Sequence, residues 1–162
     1  MERSQGDNRN VVFFDSPDRV DLEQLQALLN LGTFWARDRP LADLAAALAH
    51  SNPVVTAWDD ARLIGHARAT GDTVYRAAIW DVVVHPEYRG SGIGRKLVQT
   101  VLAHPAICRV ERVYLTTTNQ QRFYEQIGFQ VNTTTTMVLP NHQTLDAREL
   151  LARFPTEVST QT

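Results

Sequence analysis

Cysteine and long apolar runs are the two features that this sequence most clearly lacks. Cys108 is the single cysteine among 162 residues, so an internal disulfide is excluded. No apolar run approaches the length of a membrane-spanning helix, and the first residues do not resemble a secretory signal peptide. We therefore expect a soluble, intracellular protein that does not act at a membrane.

An excess of basic charge and metal-ligand spacing are also missing. The chain has 16 Lys and Arg residues against 18 Asp and Glu residues, which gives a net charge of −2. A general nucleic-acid binder needs a basic surface, so nucleic acid is not an expected partner. His66, His85 and His104 form no pair with H-x-x-x-H spacing, and we predict no metal site.

The length and composition of the chain fit one compact domain. It is 43% hydrophobic, and no change in composition marks a second domain. Residues 1–10 hold no apolar anchor, so we expect them to be disordered. We expect a folded domain over residues 11–140 and a C-terminal extension over 141–162, whose role the sequence does not indicate.

A strand, a glycine-rich turn and a helix follow one another near the middle of the chain. The apolar run 82–84 is typical of a strand buried on both faces, and Pro86 ends it. The glycines that follow let the backbone turn tightly and present its N–H groups, and the next helix points its N-terminus into the same turn. Arg89, Arg95 and Lys96 add positive charge, so the turn is predicted to bind an anion.

Two common phosphate loops do not match this turn. A nucleoside-triphosphate loop needs Lys and then Ser or Thr after its last glycine, but Arg95 follows Gly94. A dinucleotide fingerprint needs a third glycine three residues after the second, and Arg95 and Leu97 occupy the two candidate positions. Residues 89–94, RGSGIG, instead resemble the [QR]-x-x-G-x-[GA] signature of the GNAT superfamily of acyl-CoA-dependent N-acetyltransferases.

The resemblance extends over residues 54–139. Residues 123–129, FYEQIGF, are similar to the late helix and strand of the family, and residues 64–70 with 78–84 resemble its plastid and cyanobacterial branch, which includes serotonin N-acetyltransferases. It implies an α/β fold with a mixed, mostly antiparallel twisted sheet of six to seven strands, about four flanking helices and a splay between the two middle strands. Membership of that branch would place the chain in the bacterial or cyanobacterial cytoplasm or in the plastid stroma.

Hydrophobic patterns and capping residues locate the expected elements. Strands are expected at 11–14, 54–58, 62–69, 75–84, 112–116, 129–132 and 136–139. Helices are expected from Asp21 to about Gly32, from Pro40 to just before Asn52, from about 93 to 104, and over 120–127 with Gly128 as the C-terminal cap.

Acetyl-CoA is the co-substrate that the resemblance implies. The glycine-rich turn would hold its pyrophosphate, and the central strand would bind the pantetheine arm through backbone groups. The implied contacts are Val82, Val83, Val84, Arg89, Gly90, Ser91, Gly92, Ile93, Gly94, Arg95, Lys96, Asn119 and Phe123. Asn119 matches less directly, because Thr117 stands where the family usually has Asn.

Acetyl transfer to an amine requires a neutral amine, a stabilised oxyanion and a protonated leaving thiolate. Asp81, which precedes Val82 on the central strand, is the candidate base, and the alternative is a structural aspartate paired with an arginine. Tyr124 matches the late-helix tyrosine of the family. It is the candidate acid, because a phenol with a pKa of about 10 stays protonated at neutral pH.

The acceptor amine is the part of the reaction that the sequence leaves open. The plastid-type resemblance implies a small arylalkylamine such as serotonin or tryptamine, and it places Phe34, Trp35 and Arg37 in the loop beside the acceptor groove. A lysine or N-terminal amine of a protein is the alternative acceptor. A non-catalytic acyl-CoA-binding regulatory module is the alternative function, and a homodimer is compatible with the sequence.

Overall fold

One five-stranded sheet forms the centre of the computed structural model, which describes residues 10–138. The strands are β1 (Val11–Phe14), β2 (Val54–Asp59), β3 (Arg62–Gly71), β4 (Arg76–Val84) and β5 (Arg112–Tyr114). They lie side by side in sequence order. Neighbours among β1 to β4 are antiparallel, whereas β5 runs parallel to β4. The predicted mixed and mostly antiparallel sheet is thereby confirmed.

Four helices accompany this sheet in the described residues. They are α1 (Leu22–Gly32), α2 (Leu41–Ala49), α3 (Ile93–Ala103) and α4 (Gln121–Glu125). The predicted starts of the first two are confirmed, because the Asp21 side chain accepts a hydrogen bond from the Gln24 N–H at 3.0 Å and Pro40 caps α2. The last helix is shorter than the predicted 120–127, although Gly128 reverses the chain after it with a φ of 115°.

Apolar residues cover both faces of the sheet, which accounts for the continuous apolar runs in its strands. Successive strand residues point to opposite faces. Val54 packs with α1 and α2, whereas its neighbour Val55 packs with α3. The α1 side is built on Leu25, Leu28, Leu29, Leu44 and Leu48, and the α3 side on Ile93, Leu97, Val98 and Val101.

The pairing of β4 with β5 is confined to three residues. Arg76, Ala77 and Ala78 lie opposite Arg112, Val113 and Tyr114, and no pairing continues beyond them. The second half of β4 therefore has β3 on one side only, within the described chain. This divergence agrees with the splay between the two middle strands that the family resemblance implies.

A β-bulge lies in that same half of β4. His66 pairs with Val83 and Arg68 pairs with Trp80, which leaves two residues of β4 opposite one residue of β3. Asp81 is one of the two, and its φ of 51° lies in the left-handed region that Asp tolerates better than most residues. The bulge turns the backbone just where β4 leaves β5.

Two predicted strands are absent from the described residues, so the sheet has five strands rather than six to seven. No strand forms over 129–132 or 136–138, and Leu139 lies outside the described residues. Thr134 donates its N–H and its hydroxyl to Asn132 Oδ1, at 3.3 and 3.1 Å. Such local hydrogen bonds compete with a strand ladder, and Met137 and Val138 are exposed rather than packed. The segments predicted at 1–10 and 141–162 lie outside the described residues, apart from Asn10.

Leu97→Ala tests the packing of α3 on the sheet. Leu97 is fully buried, so its truncation is expected to lower the free energy of unfolding by about 2–5 kcal/mol. Leu31→Ala is the matched control, because Leu31 is 56% exposed and its truncation should change stability by less than about 0.5 kcal/mol. Urea unfolding measures both, and equal losses would contradict the described core.

Candidate active site

A cavity of about 520 Å³ occupies the space where β4 and β5 diverge. This volume is within the roughly 300–1,000 Å³ that small-molecule sites span. Its lining comes from the loop after α1, from β3 and β4, and from the segment between β5 and α4. The lining residues are Phe34, Trp35, Arg39, Arg68, Ile79, Trp80, Asp81, Val82, Leu115, Thr116, Thr117, Thr118, Asn119, Gln120 and Tyr124. The two predicted catalytic residues, Asp81 and Tyr124, are thus brought into one cavity.

Asp81 forms an ion-pair cluster with two arginines. Its Oδ2 accepts hydrogen bonds from Arg68 Nε at 2.8 Å and from Arg39 Nη1 at 3.0 Å. Burial raises the pKa of Asp81, but the hydrogen bonds and charges of the two arginines outweigh burial and hold this pKa below its ordinary value of 3.8. Asp81 therefore stays ionised at neutral pH and has little tendency to take up a proton. The geometry favours the alternative role, a structural aspartate paired with arginine, over the role of base.

His66 supports the bulge from the neighbouring strand. Its Nδ1 lies 3.1 Å from the backbone oxygen of Asp81, which places the ring proton on Nδ1 as donor. Burial lowers the pKa of His66 to about 4, so the ring is neutral. Its Nε2 has no hydrogen-bond partner in the described part of the chain. His66 thus satisfies a carbonyl that the bulge removes from the sheet ladder.

Tyr124 reaches the cavity from α4. Its ring packs edge-on against Phe123 and Phe129, with centroid distances of 4.9 and 5.8 Å. Burial raises the pKa of the Tyr124 hydroxyl above its ordinary value of 10.0. The hydroxyl is accordingly protonated at any physiological pH, as a general acid for a thiolate must be.

Exposed aromatic side chains form one wall of the cavity. Phe34 and Trp35 meet edge-to-face with centroids 5.0 Å apart, and both are more than half exposed. Trp80 adds a third ring from β4, and its indole N–H donates to Thr70 Oγ1 at 2.8 Å. Large apolar side chains that face an open cavity are unusual in a monomer without a ligand to cover them.

The glycine-rich turn has the backbone that an anion cradle needs. Gly90 and Gly92 have φ values of 77° and 85°, and no heavy atom lies within 4 Å of the place where a side chain would begin at either residue. The hydrogen-bond ladder of α3 begins with Lys96 N–H, which donates to the Gly92 carbonyl at 3.0 Å. The N–H groups of Ile93, Gly94 and Arg95 precede that bond and point toward the turn.

Two of the three predicted cations at this turn bind protein groups instead. Arg89 donates to the carbonyl of Gly32 at 3.0 Å and to that of Val84 at 3.3 Å. Arg95 donates to the Gln126 side chain at 3.0 Å. The third cation, Lys96, lines a second cavity of about 400 Å³ beside β1, together with Ser91 and Gly92.

The remaining predicted cofactor contacts fall on both sides of the sheet. Val82 lines the main cavity and Val84 packs on the α3 side, whereas the side chain of Val83 packs among the leucines of α1. A Cβ at Gly94 would lie 3.4 Å from the ring of Phe123, in ordinary van der Waals contact. Asn119 lines the main cavity beside Thr117, whose Oγ1 accepts the Gln120 N–H at 3.1 Å.

Arg37 is the predicted substrate contact that the structure does not bring to the cavity. Its Nε donates to the Thr33 carbonyl at 3.0 Å, and it is not among the described lining residues. Arg39 and Arg68 occupy the cavity instead, and sequence reasoning missed both. Arg68 carries a weak signal, since it is a charged residue in the interior of a largely apolar strand. Arg39 carries none, because the path of its loop decides where it points.

Among the described residues, no group of three or more His, Cys, Asp or Glu side chains is placed to hold a metal ion. Within the same residues, no helix has the length and apolar character needed to span a bilayer.

Known proteins that resemble this chain include acetyltransferases from plants and cyanobacteria. A protein of Glycine max named "Histone acetyltransferase TAP1" is 35% identical over 133 residues, which are 75% of this chain and 57% of that protein. A Prochlorococcus marinus protein named "Uncharacterized N-acetyltransferase ycf52-like" is 43% identical over 102 residues, covering 60% of this chain and 54% of that protein. The chain spans about half the length of the curated relatives that it matches.

A solved structure of a Xanthomonas campestris protein, described as an acetyltransferase of the GNAT family, has a TM-score of 0.73 to this chain at 28% identity. It covers 84% of this chain and 98% of its own length. The family model described as "Acetyltransferase (GNAT) family" matches residues 22–129, which include the whole sheet from β2 onward, the glycine-rich turn and Tyr124. The chain belongs to the GNAT family of acetyltransferases.

Proposed function

We propose that this chain transfers the acetyl group of acetyl-CoA directly to the primary amine of a small aromatic acceptor of the arylalkylamine class. The observation that carries the proposal is the cavity between β4 and β5. It joins the end of the predicted cofactor track, the hydroxyl-bearing Tyr124 and an aromatic wall in one space. The ring of a small aromatic amine packs against these aromatic side chains more completely than an extended polypeptide does.

The residues present fit a bound coenzyme A. Gly90 and Gly92 leave open space over the N–H groups at the start of α3, where the pyrophosphate would be held. The half of β4 that has no partner on its β5 side leaves backbone groups for the amides of the pantetheine arm. Acetyl-CoA would supply an activated thioester carbonyl next to Val82 and Tyr124.

Tyr124 acts as the general acid in this proposal. The amine nitrogen forms a bond to the acetyl carbon, the carbon–sulfur bond breaks, and Tyr124 gives its proton to the departing sulfur. Water takes the proton that the amine loses, and the phenol recovers its proton from solvent. The raised pKa of the Tyr124 hydroxyl keeps the acid in its working form.

Asp81 positions the strand and the amine rather than removing a proton. Its carboxylate already has two guanidinium partners, and its pKa below 3.8 makes proton uptake at neutral pH unfavourable. The proposal therefore assigns proton removal to water, with Asp81 holding the bulge at the end of the cofactor track.

A protein lysine is the rival acceptor, and the name of the Glycine max relative favours it. The cavity carries Arg39 and Arg68 against the single carboxylate of Asp81 among its described lining residues. This net positive charge disfavours any cationic amine, and a lysine side chain also lacks a ring that could pack against the aromatic side chains of the cavity, so we rank the lysine acceptor second.

Tyr124→Phe tests the acid. We expect kcat to fall by about 100-fold or more, because the thiolate loses its proton donor, while coenzyme A binding stays as in the wild type. Thiol release from acetyl-CoA with tryptamine measures the rate, and Tyr75→Phe is the control because Tyr75 is exposed and lies outside the cavity. An unchanged rate in Tyr124→Phe would contradict the assignment of Tyr124 as the acid, whereas coenzyme A binding without turnover in the wild type would support the non-catalytic binding module.

Gly92→Ala tests the cradle. A Cβ at this position enters open space over the turn and strains a φ of 85°, so we expect coenzyme A to bind more weakly by about tenfold. Gly128→Ala imposes similar strain at a φ of 115° away from the turn and should leave binding unchanged. Calorimetric titration with coenzyme A compares the two. Equal affinities would rule out the turn as the pyrophosphate site.

Asp81→Asn separates the two roles of this residue. A positioning carboxylate that is ionised throughout contributes no ionisation between about pH 6 and 9, so the rise of kcat/KM with pH should keep its midpoint in the variant. A base would instead produce that rise, and its removal would abolish it. The pH profile of kcat/KM decides between them, whatever the change in absolute rate.

A further inference from the structure

We infer that the acceptor is an aromatic amino acid, whose carboxylate is held by Arg39 and whose amine is held by Asp81. This inference rests on the proposed function and narrows its substrate class. It requires a free cation, a free acceptor oxygen and an aromatic surface in the same cavity.

Arg39 supplies the free cation. It donates one hydrogen bond, from Nη1 to Asp81, and its other four N–H groups have no acceptor within residues 10–138. Its side chain is 34% exposed and lines the cavity. Arg68 is committed more fully, since it also donates to Ser51 Oγ at 3.1 Å and is 16% exposed. A guanidinium with unused parallel donors is the preferred partner of a carboxylate.

Asp81 supplies the free acceptor oxygen. Both arginines bind Oδ2, and Oδ1 has no hydrogen-bond partner in the part of the chain that the structure describes. An amine N–H of the acceptor can donate to Oδ1 while the neighbouring carboxylate of the same molecule reaches Arg39. The Arg39–Asp81 pair thus offers a donor and an acceptor side by side, which is the complement of an amino acid's charged end.

The charge of the cavity favours an acceptor that brings its own anion. Its described lining carries two guanidinium groups and one carboxylate, a net charge of +1. An amine without an anion enters as an uncompensated cation and is disfavoured, whereas a carboxylate beside the amine neutralises the excess.

Phe34, Trp35 and Trp80 define the rest of the molecule. Their rings are exposed to the same cavity and provide faces and edges against which an indole or phenol ring packs. An acceptor that satisfies all three features has an aromatic ring, a primary amine and an adjacent carboxylate.

Matched substrate pairs test the inference, because tryptophan and tryptamine, like tyrosine and tyramine, differ only in the carboxylate. Thiol release from acetyl-CoA is measured with all four compounds on the wild type, on Arg39→Gln and on Arg109→Gln. Arg109 is the control, because its exposed side chain has no hydrogen bond or ion pair in the described residues. We expect kcat/KM for each amino acid to exceed that of its amine by about tenfold or more. Arg39→Gln should remove this preference mainly through KM, and Arg109→Gln should keep it.

The outcomes distinguish this inference from the function on which it rests. Turnover of tryptamine and tyramine with no preference for the amino acids overturns the carboxylate site and leaves the aromatic-amine acetyltransferase in place. Equal losses for both members of a pair in Arg39→Gln overturn it as well. Turnover of lysine peptides alone, or of none of these amines, rejects the aromatic acceptor and with it the inference.

Discussion

The early end of the pairing between β4 and β5 is the constraint on which the rest of this structure depends. Three residues hold the two strands together, and then the bulge at Asp81 bends β4 away. A strand interior that loses its neighbour exposes N–H and C=O groups that must find other partners. The fold keeps this costly edge in place by burying β4 between α1 on one face and α3 on the other. The open edge therefore leaves backbone N–H and C=O groups of β4 with which a ligand can pair.

The ion-pair cluster shows how the fold tolerates a charge at the bulge. A carboxylate in a largely apolar strand would be unstable alone, and two guanidinium groups from separate elements compensate it. One of them, Arg68, comes from the paired strand, and the other, Arg39, comes from the loop between α1 and α2. The cluster thereby joins the acceptor side of the cavity to the strand that the cofactor would follow.

Local features of the fold were predictable from the sequence, because short-range physics decides them. Asp21 and Pro40 predict the starts of the first two helices, and the glycines after Pro86 predict the turn before α3. The partners of Asp81 were not predictable, since Arg68 and Arg39 are 13 and 42 residues away in sequence and meet it only through tertiary structure.

The same reason separates the predicted Arg37 from the observed Arg39. Two residues in one loop differ only in the path of the backbone, which no periodic pattern records. The strands predicted at 129–132 and 136–139 do not form within the described residues for a different reason: Thr134, whose β-branched side chain suits a strand, instead bonds locally to Asn132. Tyr124, by contrast, was located by a motif, and its burial and raised pKa agree with the role given to it.

Arg89 links two parts of the molecule that the sequence keeps far apart. Its guanidinium joins the last carbonyl of α1, at Gly32, to the carbonyl of Val84 at the end of β4. Gly32 is packed so closely on Val83 that a Cβ there would lie 2.5 Å from a methyl group. The turn before α3 and the end of α1, three residues before Trp35, are therefore held by the same guanidinium, and a displacement of Arg89 would disturb both. Trp35 is more than half exposed, so its fluorescence would report such a displacement directly.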